Sequence, residues 1–276
     1  SSFDNGARVA VPSPGYPCYR NILRALDLQP IDIPVTATTN YLITPNDLEK
    51  LPGQIDGLII SSPSNPTGTM YTSDGLHELV EYCHKRRIQL ISDEIYHGIT
   101  FDCKATTALN YSQDAIIVNS FSKYFSMTGW RVGWMVVPER SIRRIERLIQ
   151  NLYIATSTLS QIAAIEAFHC YEELDMYVDQ YRHKRDLLYN VLQNAGINDL
   201  ASPDGAFYIY ANIDHLTNDS VRFCQRILNE TGVAVTPGVD FDPYLGNKTM
   251  RFSYAADLET IEHASERLYN WFKGLG

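Results

Sequence analysis

Six short runs rich in β-branched and apolar residues, at about 8–11, 30–35, 57–61, 88–92, 115–119 and 131–137, are separated by helical or loop-length stretches. No other feature constrains the chain as much. Strands spaced by crossover segments pair in parallel, and a parallel sheet must be covered on both faces. Between the third and fourth runs Leu76, Leu79, Val80 and Cys83 recur at i, i+3, i+4 and i+7. That spacing makes one apolar helical stripe, with Thr72 or Ser73 placed as N-cap.

Residues 139–169 read as helical, with a break in the small polar stretch 155–160. A long helix follows, carrying Leu174, Tyr177, Val178, Tyr181, Leu188 and Leu192 along one face and ending near Gly196. Beyond it the pattern changes to strands at 206–213, 233–236 and 250–254 with helices at 220–230 and 258–272. The expected fold class is α/β: a mostly parallel open sheet with helices on both faces, plus a smaller C-terminal α+β domain. The division falls at 1–173 for the large domain and 174–276 for the connecting helix and small domain.

At 276 residues the chain is long enough for a substantial core. Its longest apolar runs fall far short of a membrane span, and residues 1–8 carry no apolar stretch behind a basic start. A formal charge of -9 argues against a nucleic-acid partner, although an acidic chain can still hold a basic pocket for a phosphate. Five scattered cysteines form no CxxC pair, so neither a zinc site nor a disulfide framework is suggested, and a reducing, cytoplasmic setting is expected. The His77-Glu78 pair lacks the second histidine of a zinc protease helix, so no metal site is expected.

Ligands of open α/β sheets bind beyond the carboxyl ends of the strands. The third strand is followed by 62–68, with Asn65. The fourth ends in Asp93-Glu94-Ile95-Tyr96, and the fifth leads into Ser120-Phe121-Ser122-Lys123. The turn 127–131, with Arg131, opens the sixth. Each residue alone has an everyday structural role: turn, helix cap, solvated lysine, surface arginine. Together, in order and on successive strand ends, they offer an amide, a carboxylate, a phenol, a lysine and an arginine at one sheet edge.

The segments PSNPTG, SDEIYHGITF and SFSKYFSMTGWRVGW resemble the signature segments of class I/II aminotransferases, the aspartate aminotransferase-like branch of fold type I pyridoxal-phosphate enzymes. PSPGYPCY near the start and MRFSYA near the end match two further segments, and the resemblance runs from about residue 6 to residue 268. It implies a pyridoxal 5'-phosphate-dependent transaminase that moves an amino group between an L-amino acid and a 2-oxo acid.

The resemblance assigns roles. Lys123 matches the Schiff-base lysine, which needs neighbours that favour its neutral form. Asp93 matches the carboxylate that keeps the cofactor ring nitrogen protonated. Asn65 and Tyr96 match the groups that hydrogen-bond the ring oxygen. Tyr16 matches the aromatic that stacks on the ring, with a core tyrosine as the competing reading. Ser120, Ser122 and Arg131 match phosphate ligands, an arginine fork suiting two phosphate oxygens. Arg251 matches the clamp for the substrate α-carboxylate, to which Asn65 also contributes. Phe207 is either a pocket wall or a core residue, and Trp130 and Trp134 read as packing.

Family chains begin well before this one, with an N-terminal arm, a first strand and a glycine-rich turn onto the phosphate. The resemblance therefore implies a homodimer when full length and weak or no activity for this chain alone. Two alternatives stay open: a pyridoxal-phosphate-dependent C–S lyase or synthase of the same fold, and the aminotransferase-like domain of a transcription regulator.

Overall fold

The structure, a computed structural model, describes residues 2–275. β1 (Arg8–Ser13), α1 (Pro17–Ala25) and β2 (Gln29–Pro34) form the first crossover unit. α2 (Pro45–Glu49), β3 (Gly57–Ser61), α3 (Ser73–Arg86), β4 (Gln89–Asp93), β5 (Ile116–Ser120) and β6 (Gly133–Val136) follow. The six strands lie in the order β2-β1-β3-β4-β5-β6, parallel except for the antiparallel β5–β6 pair.

The period of two along β3 shows why this sheet needs cover on both faces. Leu58 and Ile60 join Leu76, Leu79, Val80 and Cys83 of α3 in one cluster, whereas Ile59 joins Val9, Val11 and Leu23 of α1 on the other face. Thr72 is the N-cap of α3, its hydroxyl accepting from the Gly75 N–H at 3.1 Å. Each buried leucine of this layer contributes about 1.5–3 kcal/mol.

α4 (Glu139–Leu152), α5 (Thr158–Ala167) and the long α6 (Tyr171–Asn194) lead out of the sheet, and the break expected at 155–160 falls earlier, at 153–157, because Thr158 and Ser160 already belong to α5. β7 (Tyr208–Asn212), α7 (Ser220–Thr231), β8 (Thr236–Pro237), β9 (Thr249–Ser253) and α8 (Leu258–Lys273) follow. β7, β9 and β8 make an antiparallel sheet in that order. Its core takes Val178, Leu188 and Leu192 of α6 and Leu268 and Phe272 of α8. Tyr96, Ile99 and Phe101, from the loop after β4, enter the same cluster, so that loop joins the two sheets.

Several expectations need correction. The strand expected at 131–137 starts at Gly133, because Arg131 ends a 3-10 turn in the left-handed region at φ 54°. The strand expected at 233–236 shrinks to Thr236–Pro237. Tyr177 is exposed on α6, and the buried face takes Lys184 instead. Lys184 reaches the Ala256 carbonyl at 2.7 Å, so its stem packs while its amine keeps a partner. Trp130 and Trp134, read as packing, are 48% and 38% exposed, although Trp134 meets the Phe121 ring at 5.1 Å.

Candidate active site

Parallel pairing sets the level of the strand ends. Ser61 of β3 lies opposite Asp93 of β4, which lies opposite Val118 of β5. β6 returns antiparallel with Gly133 opposite Ser120, so the start of β6 shares the edge where β3, β4 and β5 end. A parallel sixth strand would have sent Arg131 to the far edge. The turn after β3 is held by the Gly68 N–H, which donates to the Ser64 carbonyl at 2.8 Å. Gly68 sits at φ 75°, and a Cβ there would stand 3.0 Å from the Tyr208 carbonyl and 3.1 Å from that of Gly205. Glycine is therefore needed where the Asn65 turn meets the head of β7.

One cavity of about 230 Å³ is lined by Tyr16, Tyr19, Ser61, Asn65, Asp93, Ile95, Tyr96, Lys123, Tyr208 and Arg251. Of the residues singled out in the sequence, Tyr16, Asn65, Asp93, Tyr96, Lys123 and Arg251 thus converge. Ser120, Ser122 and Arg131 do not line this cavity. The Ser120 hydroxyl donates to the Val132 carbonyl at 3.1 Å, stands 2.9 Å from the Ser122 hydroxyl and accepts from the Ser122 N–H at 3.0 Å. Arg131 is exposed and donates through Nη1 to the Thr128 carbonyl at 3.0 Å.

Burial pulls the Lys123 amine below its ordinary value; the Arg251 and Arg131 charges add to the shift and Asp93 opposes it. Its Nζ stands 5.8 Å from the Tyr96 ring centre and 5.6 Å from that of Phe207, so Phe207 flanks the amine while its ring packs on the core of the small sheet, outside the cavity lining. Burial raises the Asp93 carboxyl, against the hydrogen bonds from Tyr19 and the Ile95 N–H and the charge of Lys123. The Tyr19 bond to Oδ2 is 2.5 Å long and the Ile95 bond to Oδ1 3.1 Å.

Arg251 Nη1 donates to Asn65 Oδ1 at 2.7 Å, and Nη2 to the Thr236 hydroxyl at 3.4 Å. An arginine only donates, so Asn65 turns its oxygen to Arg251 and keeps its amide hydrogens for another partner. The buried Arg251 Nε has none among the described residues. The Tyr96 and Tyr208 hydroxyls are 2.9 Å apart, and burial raises both phenols. Tyr16, at the cavity mouth, is raised to about 12, first by its hydrogen bond with Cys18 and then by burial.

Tyr19 and Tyr208 are site residues that sequence reasoning missed. Each carried a signal: Tyr19 follows Tyr16 by three residues in PSPGYPCY, one helical turn away, and Tyr208 adjoins Phe207. Among the described residues no group of three or more His, Cys, Asp or Glu could hold a metal ion. No helix there is long and apolar enough to cross a membrane.

A mostly parallel sheet with a lysine, a carboxylate and an arginine gathered at its carboxyl edge, and a second small sheet across the cleft, defines the fold type I aminotransferase scaffold. The chain belongs to the aminotransferase class I and II family, whose model matches residues 1–268. It is 42% identical over 273 residues to the valine–pyruvate aminotransferase of Mycobacterium tuberculosis, covering 98% of this chain and 70% of that protein. It superposes on the crystal structure of an aminotransferase from Mycobacterium tuberculosis with a TM-score of 0.96, at 42% identity over 99% of this chain and 72% of that one. Against the aspartate aminotransferase of Thermus thermophilus with maleate the TM-score is 0.89, at 29% identity, over 98% of this chain and 71% of that one.

Proposed function

We propose that the chain carries a pyridoxal 5'-phosphate-dependent transaminase site that moves an amino group between an L-amino acid and a 2-oxo acid, with Lys123 as the attachment point of the cofactor. The observation that carries this reading is that Lys123 and Asp93 line one cavity with Asn65, Tyr96 and Arg251.

The residues present fit the cofactor. Asp93 is a carboxyl that burial holds above its ordinary value, so a protonated ring nitrogen would restore its charge. Arg251 keeps a buried N–H without an acceptor, which a substrate carboxylate would supply. The cofactor, when bound, supplies an aldehyde that joins an amine and a ring that withdraws electrons from the substrate α-carbon. Lys123 Nζ, held toward its neutral form, moves the proton of that carbon, a role that typically contributes about 10²–10⁴-fold. Asp93 would accept from the protonated ring nitrogen, Asn65 and Tyr96 would donate to the ring oxygen, and Tyr16 would pack against the ring. Ser120, Ser122 and Arg131, which do not line that cavity, would hold the phosphate.

The same reading divides the chain into a large unit of residues 1–173 and a helix-linked small unit of 174–276. In support, the six-stranded sheet lies within the first and the three-stranded sheet within the second. A cytoplasmic homodimer belongs to it as well. Its support is the family resemblance, together with the exposed Met135 and Val136 of β6 and Ile142, Leu148 and Leu152 of α4.

Addition of pyridoxal 5'-phosphate is expected to produce a visible absorbance band that Lys123→Ala abolishes. A band that survives that substitution would show attachment elsewhere. Valine with pyruvate, and aspartate as donor to a 2-oxo acid such as 2-oxoglutarate, are the first assays, the valine–pyruvate pair and the aspartate donor being those the similar proteins' names give. Release of pyruvate, ammonia and a thiol from an added cysteine S-conjugate, without amino transfer, would instead indicate a C–S lyase.

A further inference from the structure

Tyr208 touches both functional halves of the cleft. Its hydroxyl is 2.9 Å from that of Tyr96, and its ring lies 4.3 Å from the Arg251 guanidinium carbon. We propose that Tyr208 is a positioning residue that aims the Tyr96 hydroxyl and fixes the plane of Arg251, coupling the cofactor-facing phenol to the carboxylate-facing cation. The inference rests on the transaminase reading above.

The geometry gives Tyr208 little freedom. Tyr208 pairs with Ser253 and Tyr210 with Arg251 across β7 and β9, so Tyr208 and Arg251 are diagonal neighbours on one sheet face. The backbone before Tyr208 is tied on three sides: Gly205 N–H to the Gly68 carbonyl at 2.9 Å, Ala206 N–H to that of Ile99 at 2.9 Å, and the Phe207 carbonyl to Tyr254 N–H at 3.0 Å. Tyr208 itself is buried. Its side chain is thus set by the frame and can set others.

Two effects follow. The Arg251 guanidinium carbon stands 4.3 Å from the Tyr208 ring centre and 4.7 Å from that of Phe241, and two ring contacts restrict how the fork tilts. Tyr96 is buried, with Tyr208 as its one hydroxyl partner among the described residues. When Tyr208 donates, the Tyr96 proton is released to point into the cavity, toward the ring oxygen that Tyr96 serves. The titratable and charged groups facing Tyr208 are Tyr96, Arg251, Tyr16, Tyr181 and Tyr254, with Asp93 next to Tyr96 and Tyr16.

The hydroxyl and the ring act separately, so two variants test the idea on the full chain loaded with pyridoxal 5'-phosphate. Tyr208→Phe keeps the ring and is expected to move the pH midpoint of the visible band upward by about one unit, because Tyr96 donates less well. Binding of propanoate, a carboxylate with no amine, stays as in the wild type when followed by calorimetry. Tyr208→Leu is expected to weaken propanoate about tenfold through the lost ring. A packing role alone would leave the midpoint of a folded Tyr208→Phe variant in place, and an unmoved midpoint overturns the inference while the transaminase reading stands. A wild-type chain that shows no band at all overturns both.

Discussion

The Tyr19 hydroxyl stands 2.5 Å from Asp93 Oδ2, joining the first turn of α1 to the last residue of β4. Asp93 is drawn two ways: burial favours its neutral acid, while Tyr19, the Ile95 N–H and Lys123 favour the carboxylate. Tyr19 is thus the side-chain donor that keeps Asp93 available as an anion facing the cavity.

Removing that donor tips the balance. Tyr19→Phe is expected to raise the Asp93 carboxyl further and lower kcat about tenfold at neutral pH, since a hydrogen bond to a charged group is worth about 1.5–3 kcal/mol. The loss should deepen as pH falls, because more Asp93 is then protonated. Steady-state assays from acid to neutral pH read both effects, and a pH profile parallel to the wild type would contradict this role.

Asn65 gives Arg251 its closest acceptor, at 2.7 Å. Asn65→Ala is expected to raise KM for the amino donor by roughly tenfold, because the Arg251 fork loses the side chain that orients it and the substrate carboxylate loses the Asn65 amide as a donor. The ratio of KM to kcat changes decides it: an effect on kcat alone would place Asn65 away from the carboxylate.

Gly68→Ala puts a side chain at φ 75° and within 3.0 Å of the Tyr208 carbonyl. A loss of about 1–3 kcal/mol in urea unfolding is expected. Gly129→Ala, with nothing within 4 Å of the new Cβ, serves as the control at a change of about 0.5 kcal/mol or less.

The Lys123 amine is held below its ordinary value, first by burial. Between that lowered value and the ordinary lysine value, the unfolded chain binds more protons than the folded one, so stability climbs with pH across this window. Lys123→Met is therefore expected to stabilise the cofactor-free chain at neutral pH, with a gain that fades as pH rises toward the ordinary lysine value. Urea melts at neutral and alkaline pH measure the difference, and a gain that grows with pH would reverse the sign.

Much of the scaffold was legible because local patterning and tertiary packing agree. The stripe Leu76, Leu79, Val80 and Cys83 is the buried face of α3, and the apolar run at 57–61 is the fully buried β3. Patterning failed where a side chain serves two masters. Tyr177 fits the apolar period of α6 but is exposed, whereas Lys184 breaks the period and is buried, its stem apolar and its amine bonded to Ala256. The strand expected at 131–137 began late because Arg131 takes a left-handed conformation that residue type alone does not announce.

By itself the order of residues along the chain determined which chemical groups lie at strand ends, since alternating strands and crossovers force parallel pairing and bring those ends to one edge. It also determined the family, through segments long enough to be distinctive. The partners of those groups were decided only in three dimensions. Arg251 meets Asn65 across 186 residues, Tyr96 meets Tyr208 across 112 and Tyr19 meets Asp93 across 74. No local pattern encodes such contacts, because they arise where two separately built sheets close on one cleft and each buried polar group must find a partner there.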